Sequence, residues 1–256
     1  MRSVRWDVYC KVVDNFGDIG VCWRLACGLA ERGEQVRLHV DDGSALAWMA
    51  PRGAPGVTMR STSQAVYDGA EIVVEAFGCA LPDPVMAAMA GAAQAPCWIN
   101  LEYLSAEPYV VHSHGLPSPQ WHGPAAGLVR HFFYPGFTPG TGGLLREPAL
   151  LARRARFDRR ACLAARGWRA QAGRRVVVLF GYRQKALPAL LRALAAEPTT
   201  LLVSPGPLQV ETFRLQLQSK IGPALSVVAL PYLSQIEFDH LLWSADLAFV
   251  RGEDSV

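Results

Sequence analysis

A chain of 256 residues, 51% of them hydrophobic, is long and apolar enough for one large core or for two smaller domains, so a soluble globular fold is expected. The net charge is only +3 and the arginines do not form a single run, which argues against nucleic acid as a partner. No stretch reaches the roughly 18–20 consecutive apolar residues of a membrane span, and Arg2, Arg5 and Asp7 interrupt the start before a secretory apolar segment could form. The six cysteines (Cys10, Cys22, Cys27, Cys79, Cys97 and Cys162) lack CxxC spacing and mostly sit in apolar runs, which suits thiols in a reducing, cytoplasmic compartment.

Strand and helix patterns then alternate along the chain, the sign of parallel sheets covered by helices. Strands are expected at 6–13, 35–40, 71–77 and 97–103. Between the first two, Val21, Leu25 and Leu29 mark one helical face that Gly33 closes. A second helix is expected over 82–94, opened by its prolines. Residues 104–148 are dense in Pro, Gly, His and aromatics and read as a long irregular segment, a length that favours binding or a crossover between domains. Residues 149–167 read as one basic amphipathic helix with a solvated face. Alternation resumes with strands at 174–182, 199–207, 225–233 and 246–256 and helices at 185–197, 208–222 and 234–245. The expected fold is therefore α/β with two Rossmann-like domains, residues 1–150 and residues 151–256, and ligands near the carboxyl ends of the strands in a cleft between them. The last strand runs into Gly-Glu-Asp-Ser, a natural helix start, and the chain stops one residue later, so the second domain reads as incomplete.

Three stretches carry candidate chemistry. The loop DNFGDIG (14–20) follows the first strand and offers only Gly17 and Gly20 among carboxylates that would repel a pyrophosphate, so it is not a dinucleotide loop. Asp14 and Asp18 either cap the turn and the helix start, or face the cleft as a base and a cation-binding carboxylate. The segment FVRGEDS (249–255) repeats the question with Glu253 and Asp254: both are caps, or helix-start amides with Ser255 take a phosphate while a carboxylate takes a sugar hydroxyl. Phe180 and Tyr182 end one strand, and Tyr232 and Gln235 lie at a strand-to-helix turn. They are either core aromatics at strand ends or an aromatic face with an amide suited to a nucleobase. His112, His114, His122 and His131 lack a metal-site context and read as loop histidines, with His114 a minor site candidate, and Ser118 lacks a nucleophile-elbow pattern.

The strings DNFGDIGVCWRLA, WINLEYLSAE, HGLPSPQ, FFYPGFTPGTGGLLRE and LLWSADLAFVRGEDS together resemble the protein-arginine rhamnosyltransferase family, EarP, in order and over nearly the whole chain. The resemblance implies a GT-B-like fold, with an N-terminal acceptor-binding domain and a C-terminal domain holding the nucleotide sugar. It implies transfer of L-rhamnose from dTDP-β-L-rhamnose to an arginine guanidinium of elongation factor P, with inversion, no metal and no cofactor beyond the donor substrate. On matching positions it implies that Asp18 is the general base, Asp14 orients the acceptor arginine, and Glu253 helps place donor and acceptor. Arg251, Asp254 and Ser255 fall in the donor-binding stretch, Tyr232 and Gln235 at the base-binding positions, and Phe180 and Tyr182 near the nucleotide. Family members continue beyond the position of Val256, so this chain is expected to bind the donor weakly or to be inactive, and equal affinity in a longer version would refute that. Two other readings stand beside it: a non-catalytic module that docks elongation factor P, and a GT-B glycosyltransferase with a small-molecule acceptor.

Overall fold

The computed structural model describes residues 2–13, 16–168, 173–218 and 222–250. The chain divides into two compact units, Met1–Leu150 and Leu151–Val256.

Unit 1 opens with β1 (Arg5–Cys10), α1 (Gly17–Ala30) and β2 (Gln35–Val40). Alternation in the strands sorts the side chains: Trp6, Val8 and Cys10 of β1 and Val36, Leu38 and Val40 of β2 pack with Ile19, Cys22, Trp23 and Ala26 of α1. Gly33 takes φ +90° just past the helix, the left-handed turn that lets the chain re-enter the sheet. Next come α2 (Leu46–Met49), β3 (Val57–Ser61), β4 (Ile72–Ala76), α3 (Asp83–Ala90) and β5 (Cys97–Leu101). Helix α3 covers the opposite sheet face, where Val85 and Met89 meet Tyr9, Val73 and Trp98. The segment expected to be irregular contains α4 (Tyr109–Ser113), β6 (Pro117–Pro119) and β7 (Val129–Phe133). Short, partly exposed strands among prolines and glycines leave little alternation to read, which is why 104–148 looked structureless.

The strand order in unit 1 is β3-β2-β1-β4-β5-β7-β6, parallel throughout except that β6 pairs antiparallel with β7. From β1 the winding goes first to β2 on one side and later to β4 on the other. The carboxyl end of β1 is therefore the point where the order reverses, the place where ligands bind in folds of this kind.

At the start of unit 2, α5 (Leu150–Ala155), which begins on the last residue of unit 1, and α6 (Arg159–Ala165) are two short helices where one long basic helix was expected. Asp158 ends that expectation: its side chain accepts the Ala161 amide hydrogen at 3.0 Å and caps a new helix. The remaining elements are β8 (Arg175–Leu179), α7 (Leu187–Leu194), β9 (Thr199–Val203), α8 (Pro207–Leu217), β10 (Leu225–Ala229), α9 (Gln235–Ser244) and β11 (Leu247–Phe249). All four strands are parallel in the order β10-β9-β8-β11, so β8 occupies the same reversal position here that β1 occupies in unit 1. Leu187, Leu191 and Leu194 put one face of α7 against Val177, Leu201 and Val203. Each fully buried leucine of this kind contributes about 1.5–3 kcal/mol of transfer free energy.

Candidate functional site

The loop after β1 delivers Asp18 to the reversal point of unit 1. Helix α1 begins at Gly17, and its N-cap is Phe16, which has no side-chain cap. Asp18 is thus not the cap residue that one reading of the sequence expected. It sits in the first turn, 2% exposed, where the helix dipole favours an anion. Its Oδ2 accepts the Val13 backbone N–H at 3.0 Å, and its Oδ1 accepts the Tyr103 hydroxyl at 3.0 Å. Both oxygens are therefore held by protein donors, one from the β1 loop and one from beyond β5.

Tyr103 was not singled out in the sequence. Its ring stacks on Phe77 with centroids 4.3 Å apart and planes 13° from parallel. Phe77 follows β4 directly and takes φ +55°, a left-handed backbone that a bulky residue rarely adopts. The available signal was positional: an aromatic just past the carboxyl end of a parallel strand, once beside Gly78 and once in Glu-Tyr-Leu. Phe16, the N-cap of the helix that carries Asp18, meets Trp48 edge-on at 4.9 Å. At the end of β2, Asp41 accepts the Val12 N–H at 2.9 Å, so the β1 loop is pinned on both sides by carboxylates. Asp14 lies outside the described residues, as do Arg251, Glu253, Asp254 and Ser255.

In unit 2, Phe180 and Tyr182 follow β8, and Tyr232 and Gln235 lie between β10 and the first turn of α9, all at the carboxyl edge of the sheet. Phe180 meets Phe238 of α9 edge-on at 5.5 Å, and its N–H donates to the Phe249 carbonyl at 2.9 Å. Tyr232 is 54% exposed, so its ring is not a core aromatic. The turn that carries it is fixed by a capping box: Ser234 accepts the Glu237 N–H, and the Glu237 side chain accepts the Ser234 N–H at 2.8 Å. Burial alone would raise the Glu237 pKa, but the Ser234 bonds and the Arg166 guanidinium at 2.9 Å hold it below its ordinary value. Gln209 of α8 donates to the Val203 and Leu230 carbonyls at 2.8 and 3.0 Å, tying the ends of β9 and β10 together.

Other polar groups serve the scaffold. His114 accepts the Tyr134 N–H on Nδ1 at 3.1 Å, so the neutral ring carries its proton on Nε2, and the side chain braces the loop. Under the opposite face of the unit 1 sheet, fully buried Asp7 takes both Nε and Nη2 of Arg37 at 2.6 Å, with His39 Nε2 at 3.4 Å. Burial opposes the Asp7 charge, yet the nearby His39 imidazole and the two Arg37 bonds keep its pKa lowered. Cys10 and Cys22 are buried, and desolvation pushes the Cys79 thiol up to about 12, so these cysteines pack rather than react, whereas Cys97 is exposed. Among the described residues no group of three or more His, Cys, Asp or Glu side chains could hold a metal ion, and no helix is long and apolar enough to cross a membrane.

Two units, each built on a largely parallel α/β sheet with candidate residues at the carboxyl edge, define a GT-B-like fold. Residues 6–256 match the family described as elongation factor P (EF-P) rhamnosyltransferase EarP, and the chain belongs to that family. It is similar to the protein-arginine rhamnosyltransferase of Pseudomonas aeruginosa PAO1, 43% identical over 276 residues that cover 98% of this chain and 72% of the relative. The corresponding protein of Neisseria meningitidis H44/76 is 36% identical, with 97% of this chain and 69% of the relative covered. Among solved structures, one describing EarP-mediated arginine glycosylation of translation elongation factor EF-P aligns with a TM-score of 0.57 at 29% identity, covering 98% of this chain and 68% of that one. A glycosyltransferase from Rickettsia africae aligns with a TM-score of 0.56 at 7% identity, covering 97% of this chain and 73% of that one, and shares the fold alone.

Proposed function

We propose that this protein transfers L-rhamnose from dTDP-β-L-rhamnose to a guanidinium nitrogen of an arginine on elongation factor P, with inversion at the anomeric carbon and without a metal or a further cofactor. The observation that carries this reading is Asp18, a buried carboxylate held by two donors at the reversal point of unit 1, in a chain of the EarP family. A guanidinium is a poor nucleophile because its charge is shared over three nitrogens and its pKa exceeds about 12. A carboxylate that hydrogen-bonds to it can localise that charge and aim one nitrogen. In the reaction the nitrogen forms a bond to the anomeric carbon, the bond from that carbon to the dTDP oxygen breaks, and Asp18 takes the proton lost from nitrogen.

In this reading Asp14 orients the acceptor arginine and Glu253 helps place donor and acceptor. Arg251 and the amides near Asp254 and Ser255 take the charge that grows on the departing dTDP. Tyr232 offers a stacking face and Gln235 a donor–acceptor amide to the base, with Phe180 and Tyr182 near the nucleotide. An acceptor that is itself a translation factor makes the cytoplasm the working compartment.

The test is incubation of the protein with dTDP-β-L-rhamnose and elongation factor P, read by intact mass. A mass gain of one rhamnosyl unit, mapped to an arginine, is expected. Stable complex formation without a mass gain would favour a docking module, and sugar transfer to a small molecule alone would favour a different acceptor class.

A further inference from the structure

Asp18 is gripped from an unexpected side, by a tyrosine 85 residues away in sequence. We propose that Tyr103 is the positioning residue for Asp18, fixing the direction of its carboxylate toward the acceptor nitrogen, with Phe77 as the brace of the tyrosine. This inference rests on Asp18 acting as the base.

Three strands converge on this contact. Tyr103 lies two residues past the end of β5, and the two residues before it are tied to neighbouring strand ends: Phe77 N–H donates to the Leu101 carbonyl at 2.7 Å, and Glu102 N–H donates to the Phe133 carbonyl at 2.9 Å. The ring lies flat on Phe77, and the hydroxyl reaches Oδ1 of Asp18 at 3.0 Å. Val13, on the β1 loop, holds the other oxygen. Phe77 keeps φ +55° beside Gly78 at φ +63°, so the chain turns left-handed twice in succession where β4 ends. A bulky residue holds such a backbone only when its surroundings fix it, and such positions gather at functional sites. Here the turn places the Phe77 ring under Tyr103. Tyr103 is 38% exposed as a residue, yet its hydroxyl donates to a carboxylate that is 2% exposed.

A base held by two donors has one orientation, and misplacement of a reacting group by about 1 Å can lower a rate by about 10²-fold. Tyr103→Phe keeps the ring and its stacking partner and removes only the hydroxyl. Its kcat for rhamnosyl transfer to elongation factor P is expected to fall by about tenfold or more, with KM for dTDP-β-L-rhamnose unchanged within about twofold. In an Asp18→Asn background the same substitution should add no further loss, because it acts only through that carboxylate. Phe77→Leu, which leaves the hydroxyl and removes the flat ring contact, should lose part of kcat with the same non-additivity. Wild-type kcat in Tyr103→Phe, a loss confined to KM, or a full multiplicative loss in the Asp18→Asn background would each overturn the assignment. Asp18→Asn with normal turnover would instead defeat the functional reading itself, whereas a defective Asp18→Asn with a normal Tyr103→Phe would defeat only the role of Tyr103.

Discussion

Asp18→Asn separates the chemistry of this carboxylate from its structural work. The substitution preserves size and planarity in a site that is 2% exposed, so no cavity opens. The Val13 and Tyr103 groups can still be served: the amide oxygen accepts the Val13 N–H, and the amide nitrogen donates to Tyr103 once that hydroxyl turns to accept. Two charge-assisted bonds become neutral ones, a stability loss of about 1 kcal/mol. The loss in rate should be far larger. Removal of a positioned general base lowers rates by about 10²–10⁴-fold, and at about 1.36 kcal/mol per factor of ten this is roughly 3–5 kcal/mol of transition-state stabilisation. Single-turnover transfer followed by intact mass, beside a thermal melt, would show a folded protein with turnover reduced at least a hundredfold. Near-normal turnover in a folded Asp18→Asn protein would refute the reasoning. Asp18→Ala, which leaves the Val13 N–H without this acceptor, should lose a further 1–3 kcal/mol or so of stability.

Tyr232→Ala should weaken dTDP-β-L-rhamnose binding by about tenfold or more in calorimetry, since base–aromatic stacking contributes about 1–3 kcal/mol. Arg37→Met leaves Asp7 buried without its bidentate partner. Denaturant unfolding should show a loss of about 3 kcal/mol, the lower end of the range for a broken buried pair because the Arg37 side chain is 24% exposed. Asp7, Glu237 and Asp246 all have folded pKa values below their ordinary ones, so their contribution to stability is present above the usual carboxylate range near pH 4 and is lost as pH falls through the depressed folded values. Denaturant midpoints should therefore drop steeply below about pH 4, and an Asp246→Asn, Glu237→Gln double variant should flatten that dependence; an unchanged slope would show that these pairs do not set it.

Much of this arrangement is legible in the sequence, for reasons that differ by element. The strands expected at 35–40 and 97–103 form at 35–40 and 97–101, and the helix expected at 234–245 forms at 235–244, because apolar runs bounded by turn residues mark them. The strand order is not legible, because nothing local says that β4 rather than β2 follows β1 on its second side. β3 was missed since its residues are mostly exposed and carry no core pattern, and the break at Asp158 was missed although an Asp before a helical run is a start signal. The carboxylates of the β1 loop stood out by position and charge. Tyr103, the partner of Asp18, did not, because the contact joins residues from different strand ends and sits beside a left-handed turn at Phe77 that no propensity announces.

The two reversal points differ in charge, and the difference follows the chemistry proposed for each unit. A helix start offers partial positive charge, which a phosphate could use. In unit 1 the protein fills that position with its own carboxylate: Asp18 lies in the first turn of α1, and Asp41 and Asp42 sit at the end of the neighbouring strand. An anion is repelled there and a cation is drawn in. At the equivalent position of unit 2 the loop after β8 reads Phe-Gly-Tyr-Arg-Gln-Lys, with Arg183 and Lys185 and no acid, and α8 starts at Pro207 after Gly206 in a loop without carboxylates. That edge suits a diphosphate and, through its aromatics, a base. The two folds thus differ in sequence at the strand ends around their reversal points, with Asp18, Asp41 and Asp42 in unit 1 and Arg183 and Lys185 in unit 2. In the proposed reaction the acidic end of unit 1 would take the arginine acceptor and the Arg183 and Lys185 loop of unit 2 the nucleotide sugar.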